Sequence, residues 1–169
     1  MAVREVLRYP HASLKQVARP LDPAADASVV ERVVGDLLDT MAAHTGCIGL
    51  AAPQLDELVR IVVVDASEHP RVTDSNGLLA LVNPEIVESS GAEVAREGCL
   101  SIPELTANVR RATAITIRAL GPDGEPRTVH SAGFEARCLA HEIDHLDGIL
   151  FLDRVDSLKT DVFRRKRYQ

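Results

Sequence analysis

The segment His141-Glu142-Ile143-Asp144-His145 has the residue types and spacing best suited to chemistry. On a helix, residues four apart share a face, so His141 and His145 present two imidazoles to one ion. Glu142 follows the first of them and can swing its carboxylate toward a water on that ion, as a general base and acid. The plain alternative is a solvated helix face. Two histidines do not complete a site, because catalytic centres of this type usually take three protein ligands and keep one open position. Cys99, in Glu97-Gly98-Cys99-Leu100-Ser101, is the natural third candidate. Cys138 competes with it, but a thiol three residues before His141 would share an ion with both histidines only in a cramped arrangement. A free Cys is usually buried, and Cys138 reads as packing. A third segment, Cys47-Ile48-Gly49-Leu50-Ala51-Ala52-Pro53-Gln54, combines small residues that permit close approach with an amide that can donate to an oxygen. By itself it reads equally as a tight loop.

These groups need elements to position them. Ser28-Val29-Val30-Glu31 has capping-box spacing, and Val30, Val33, Val34, Leu37, Leu38 and Met41 follow at helical intervals up to Gly46. A first helix is predicted over Ser28 to His44, a second over Phe134 to Asp147, and a short third over Ser157 to Arg167. Strands are predicted at Leu58–Val64, Leu78–Asn83 (closed by Pro84), Thr113–Leu120 and Pro126–Ser131. Ile86–Ser90 and Ala92–Arg96 flank Ser90-Gly91 as a candidate hairpin. Strand runs outnumber helices and do not alternate with them. The class is therefore α+β, with mostly antiparallel sheets packed around a central metal-binding HExxH helix.

The whole chain narrows the setting. Its 169 residues, without repeat or linker, predict a single domain over 1–169. Aromatics are only 3%, so Val, Leu, Ile and Ala must build the core. A net charge of -6 argues against a general or sequence-specific nucleic-acid binder, which needs a basic face. No apolar run approaches the roughly 20 residues of a membrane span. Arg4 and Glu5 interrupt what a signal peptide would keep apolar, so the expected location is cytoplasmic, with no membrane partner. Three widely spaced cysteines, Cys47, Cys99 and Cys138, do not suggest a disulfide framework.

The three segments together, in this order, closely resemble the signature motifs of the peptide deformylase family. The pattern G-x-G-L-A-A-x-Q matches Cys47 to Gln54 at every fixed position but the first. E-G-C-L-S matches Glu97 to Ser101 fully, and H-E-x-x-H matches His141 to His145. Weaker similarity runs through Val6–Pro10, Leu81–Pro84 and His145–Gly148. The resemblance implies Cys99, His141 and His145 as metal ligands and Glu142 as catalytic acid and base. It implies Gln54 and the Leu100 amide as oxyanion stabilisers, and Ile48, Gly49 and Gly98 as lining of the formyl-methionyl channel. One divalent metal ion is implied, Fe(II) physiologically, with zinc or nickel forms of the isolated protein. The implied activity is hydrolytic removal of the N-formyl group from newly made, methionine-headed polypeptides.

Two positions depart from the pattern: Cys47 replaces a glycine, and Ala140 stands where Gln often precedes the first His. A zincin-type endopeptidase would share the HExxH helix, but its third ligand normally lies C-terminal, where few candidates follow. A catalytically silent peptide or ribosome binder should have lost Glu142 or a ligand, and all are kept. By resemblance Glu97 and Arg111 are expected to pair and brace the Cys99 strand. The basic run Arg164-Arg165-Lys166-Arg167 reads as a solvated helix end, or as a weak ribosome contact.

Overall fold

The computed structural model describes residues 1–166. Two α-helices, α1 (Ala27–Ala43) and α2 (Gly133–Leu146), accompany eight strands. These are β1 (Gly49–Ala51), β2 (Ile61–Asp65), β3 (Leu78–Ser90), β4 (Glu93–Cys99), β5 (Ile102–Arg111), β6 (Ala114–Leu120), β7 (Pro126–Ala132) and β8 (Val162–Arg164). One sheet has the order β1-β2-β3-β6-β7 and the other β4-β5-β8; every named strand pairing is antiparallel. The class is α+β with antiparallel sheets, as the sequence predicts.

The β2 run Ile-Val-Val-Val is continuous rather than alternating because both of its faces are covered. Ile61 and Val63 pack with Val30, Val33 and Leu37 of α1, while Val62 and Val64 pack with Leu139, Ile143 and Leu146 of α2. A third cluster, including Ile102, Ala107, Val109, Leu150 and Phe151, lies under the smaller sheet and holds Cys99.

Both α-helices form where periodicity places them, but α1 does not start with a capping box. Asp26 takes the cap position, and Ser28 is already inside the helix. The Asp26 carboxylate instead accepts from the Asp22 amide and from Arg19. Gly46, at φ 78°, ends the exit from α1 as expected.

Three further expectations are corrected. Pro84 does not close β3; a register shift between Val82 and Glu85 takes the proline out of the ladder, and the strand continues to Ser90. Asn83, at φ 51°, is held there by accepting from the Leu21 amide and donating to the Leu21 carbonyl. The predicted hairpin across Ser90-Gly91 does not form. β3 pairs with β6, while β4 pairs with β5, to which only Leu100 and Ser101 connect it. The third helix is also absent among the described residues. Val162 and Phe163 are β-branched and aromatic, and they join the open edge of β5, opposite Ala107 and Thr106. Arg164 ends that strand, Arg165 and Lys166 follow it, and Arg167 lies outside the described residues.

Candidate metal centre

Cys99 is the last residue of β4, where a register shift after Gly98 breaks the ladder with β5. His141 and His145 lie one turn apart on α2, which covers β1 and β2 with its apolar stripe. Ligand atoms of all three residues lie within 4.8 Å of one another, and all three are buried. Cys99 Sγ lies 3.4 Å from His145 Nε2. One thiol and two imidazoles are a donor set that suits a borderline divalent transition metal. Cys138 lies outside the triplet; it packs partly against the cluster under α2, and burial pushes its thiol up to about 12.

His141 is oriented by its neighbour. Its Nδ1 lies 2.8 Å from Glu97 Oε1, a carboxylate that can only accept, so Nδ1 carries the proton and Nε2 is left for a ligand. Glu97 is itself gripped at 2.7 and 2.9 Å by Arg111, the expected ion pair. Arg137 of α2 adds a second cation at 2.7 Å. Burial alone would raise the Glu97 carboxyl, but hydrogen bonds from His141 and Arg111 hold it well below the usual carboxylate range. Arg111 continues to Asp144, and Arg154 closes on the same carboxylate with two hydrogen bonds of 2.6 and 2.8 Å.

Two buried polar atoms have no hydrogen-bond partner among the described residues: Glu142 Oε2 and His145 Nδ1. Such an orphan typically costs about 1–3 kcal/mol, so an uncompensated carboxylate oxygen beside a thiol and two imidazoles is a demand for a water or an ion. The residues present therefore fit a metal with a water beside Glu142. Burial pushes the Glu142 carboxyl up to about 7, against the lowering influence of His141 and Arg111.

Gln54 is fixed in the short turn after β1. Its Oε1 accepts from the Ala51 amide at 3.0 Å, which aims Nε2 at Cys99 Sγ (3.5 Å) and Ser101 Oγ (3.1 Å). A cavity of about 250 Å³ opens beside these groups. Ile48, Gly49, Gln54, Gly98, Cys99, Leu100, His141 and Glu142 line it, so every site residue named from sequence is on its wall except His145, which is buried behind it. At Gly49 a Cβ would meet Glu142 Cγ at 3.0 Å and its Oε1 at 3.1 Å, so the glycine makes room for the carboxylate. At Cys47 the backbone does not need the freedom of a glycine. Its φ is not in the left-handed region, and its thiol donates to the Gly49 carbonyl at 3.3 Å.

The residues missed from sequence are Arg137, Asp144 in its bracing role, Arg154 and Ser101. A signal for Arg137 was present: it lies four residues before His141, on the same helix face.

The sequence model of the family described as polypeptide deformylase matches residues 3–161. Among solved structures, a peptide deformylase from Legionella pneumophila is 37% identical with a TM-score of 0.83, over 94% of this chain and 89% of that one. The class I type b peptide deformylase from Acinetobacter baumannii, solved with Met-Ala-Ser bound, is 33% identical with a TM-score of 0.83, over 91% of this chain and 100% of that one. A peptide deformylase from Ehrlichia chaffeensis is 31% identical with a TM-score of 0.83, over 94% of this chain and 90% of that one. A match of this extent, on a fold that gathers a thiol, two imidazoles and a buried glutamate, is decisive: the chain belongs to the polypeptide deformylase family of metallohydrolases.

Proposed function

We propose that this protein is one catalytic domain that removes the N-formyl group from the amino-terminal methionine of newly made polypeptides and releases formate. The observation that carries the reading is Glu142 Oε2, buried without a partner among the described residues, beside Cys99, His141 and His145. On this reading α2 is the metal-binding helix between the two sheets. Cys99, His141 and His145 would hold one divalent ion, Fe(II) physiologically, with zinc or nickel able to replace it. Such an ion supplies Lewis acidity, lowering the pKa of a water and polarising a carbonyl.

The protein's own groups then divide the work. Glu142 takes a proton from water as its oxygen attacks the formyl carbon, and later gives that proton to the departing amine nitrogen. Gln54 Nε2, aimed inward by the Ala51 amide, donates to the oxygen on which negative charge develops. The Leu100 backbone N–H is the second donor; one such donor is typically worth about 3 kcal/mol. Ile48, Gly49 and Gly98 form the channel for the formyl-methionyl end. β1 is the terminal strand of its sheet, so its free edge beside Ile48 to Leu50 can take an extended peptide as an added strand. The Met-Ala-Ser held by the A. baumannii enzyme has the methionine-headed form that the reaction would leave.

No helix among the described residues is long and apolar enough to cross a membrane, which accords with work in the cytoplasm on nascent chains. The basic end at Arg164 to Arg167 is proposed as a weak, salt-sensitive ribosome contact. The direct test is to incubate anaerobically purified protein with a formyl-Met tripeptide and assay formate. Release of formate with a new free amine is the expected result; cleavage at an internal peptide bond instead would overturn the reading.

A further inference from the structure

The mouth of the cavity carries charge that the proposed reaction does not use. Alternation along β4 turns Glu97 and Cys99 into the buried centre, while Arg96 and Gly98 lie on the exposed side. Arg96 lines the cavity, with its guanidinium carbon 3.8 Å from the centroid of the Phe163 ring, and it donates to Asn108 and Thr106 side chains. Arg165 reaches back from the end of β8, so close to Gly98 that a Cβ built there would meet its Nη2 at 1.9 Å. It too lines the cavity. Both guanidinium groups are therefore held at one rim by the pairing of β4, β5 and β8.

Neither arginine has a carboxylate partner among the described residues. Of the two acids in the cavity wall, Glu97 has its oxygens engaged by Arg111, Arg137 and His141, and Glu142 is buried and forms no ion pair with either arginine among the described residues. In a chain with a net charge of -6, two uncompensated cations at the mouth of the candidate active site form a local positive field. Arg165 lies over the residue next to Cys99. An extended peptide rises about 3.3 Å per residue, so a chain whose first residue is at the centre and which leaves over this rim would pass it with its second and third.

We propose that Arg165, with Arg96, is a specificity-determining residue that favours an acidic side chain at the second or third position of the substrate. This rests on the deformylation reading, and deepens it by naming the substrate class. An exposed ion pair is typically worth a rate ratio of roughly twofold to fivefold, and salt screens it.

The experiment compares kcat/KM for formyl-Met-Glu-Ala against formyl-Met-Gln-Ala, and for formyl-Met-Ala-Glu against formyl-Met-Ala-Gln, at low and high salt. In at least one pair Glu should exceed Gln by roughly twofold to fivefold, and the preference should shrink at high salt. Arg165→Gln should bring that ratio close to one, while Arg165→Lys should keep most of it. Equal rates for Glu and Gln in both pairs, or a preference that survives Arg165→Gln, would overturn the assignment. The same holds if the variant loses only ribosome co-sedimentation, since the rim would then be a phosphate contact. If none of the four formyl peptides released formate, the proposed reaction itself would be wrong, a result distinct from equal turnover.

Discussion

Glu97 Oε1 and His141 Nδ1 are 2.8 Å apart, and the same carboxylate is held by two arginines from different elements, Arg111 on β5 and Arg137 on α2. One buried side chain thus fixes the ring of a candidate ligand and ties helix to sheet. Glu97 and Arg111 are both nearly inaccessible, at 5% and 4% side-chain exposure, so their charges depend on each other rather than on solvent.

Glu97→Gln should therefore be strongly destabilising, because it leaves two buried guanidinium groups facing a neutral amide. Breaking a buried pair from one side typically costs about 3–5 kcal/mol. Thermal unfolding would show a drop in Tm, and a Tm within a degree or two of the parent would contradict the buried role.

Glu142→Gln is expected to keep its metal and lose turnover by at least about 100-fold, since the amide preserves shape but removes the proton acceptor. Metal content per chain and kcat on a formyl-Met tripeptide are the two readouts. Loss of metal with undiminished activity per bound metal would show that the role is misassigned.

Cys99→Ser should lower metal occupancy far more than Cys138→Ser, because a hydroxyl is a poor, high-pKa ligand and Cys138 is outside the donor triplet. Elemental analysis of both variants after identical purification decides it. Equal occupancy would remove Cys99 from the ligand set.

Cys47 is a test of burial by chemistry. Burial, with a contribution from the nearby Glu142 carboxylate, pushes its thiol up to about 12. A raised thiol pKa means a largely neutral group at pH 8, so alkylation should run at least about tenfold slower than at an ordinary cysteine, which ionises near 8.5, even though its thiolate is the stronger nucleophile. Peptide mapping after timed iodoacetamide treatment measures this. Rapid labelling of Cys47 in the folded protein would show that the thiol is not held in its neutral form.

The parts of the molecule that sequence made legible are those whose determinants are local. The α1 stripe from Val30 to Leu37 and the spacing of His141 and His145 are periodicities within one element. The structure places them as such. β5 was not anticipated, because Pro103, Asn108, Arg110 and Arg111 disguise it. The buried alternation Ala107, Val109, Arg111 is visible only once a guanidinium is allowed to face inward. Arg111 can do so because Glu97 and Asp144 arrive from β4 and α2, and nothing near it in sequence announces them. The end of the chain was misread for the same reason: Val162 and Phe163 extend because β5 offers them an edge, a long-range fact. At the candidate site, motif spacing pointed to the cavity wall, whereas the arginines behind it depend on partners 10 to 40 residues away.

The double burial of β2 has a mechanical meaning. Ile61 and Val63 serve the layer under α1, and Val62 and Val64 serve the layer under α2, so neither helix can lift away without exposing a strand that the other also needs. Because α1 contributes no atom to the site yet shares this strand with the helix bearing His141 and His145, the two helices should melt as one cooperative unit, and amide exchange in β2 should slow or quicken with the integrity of both.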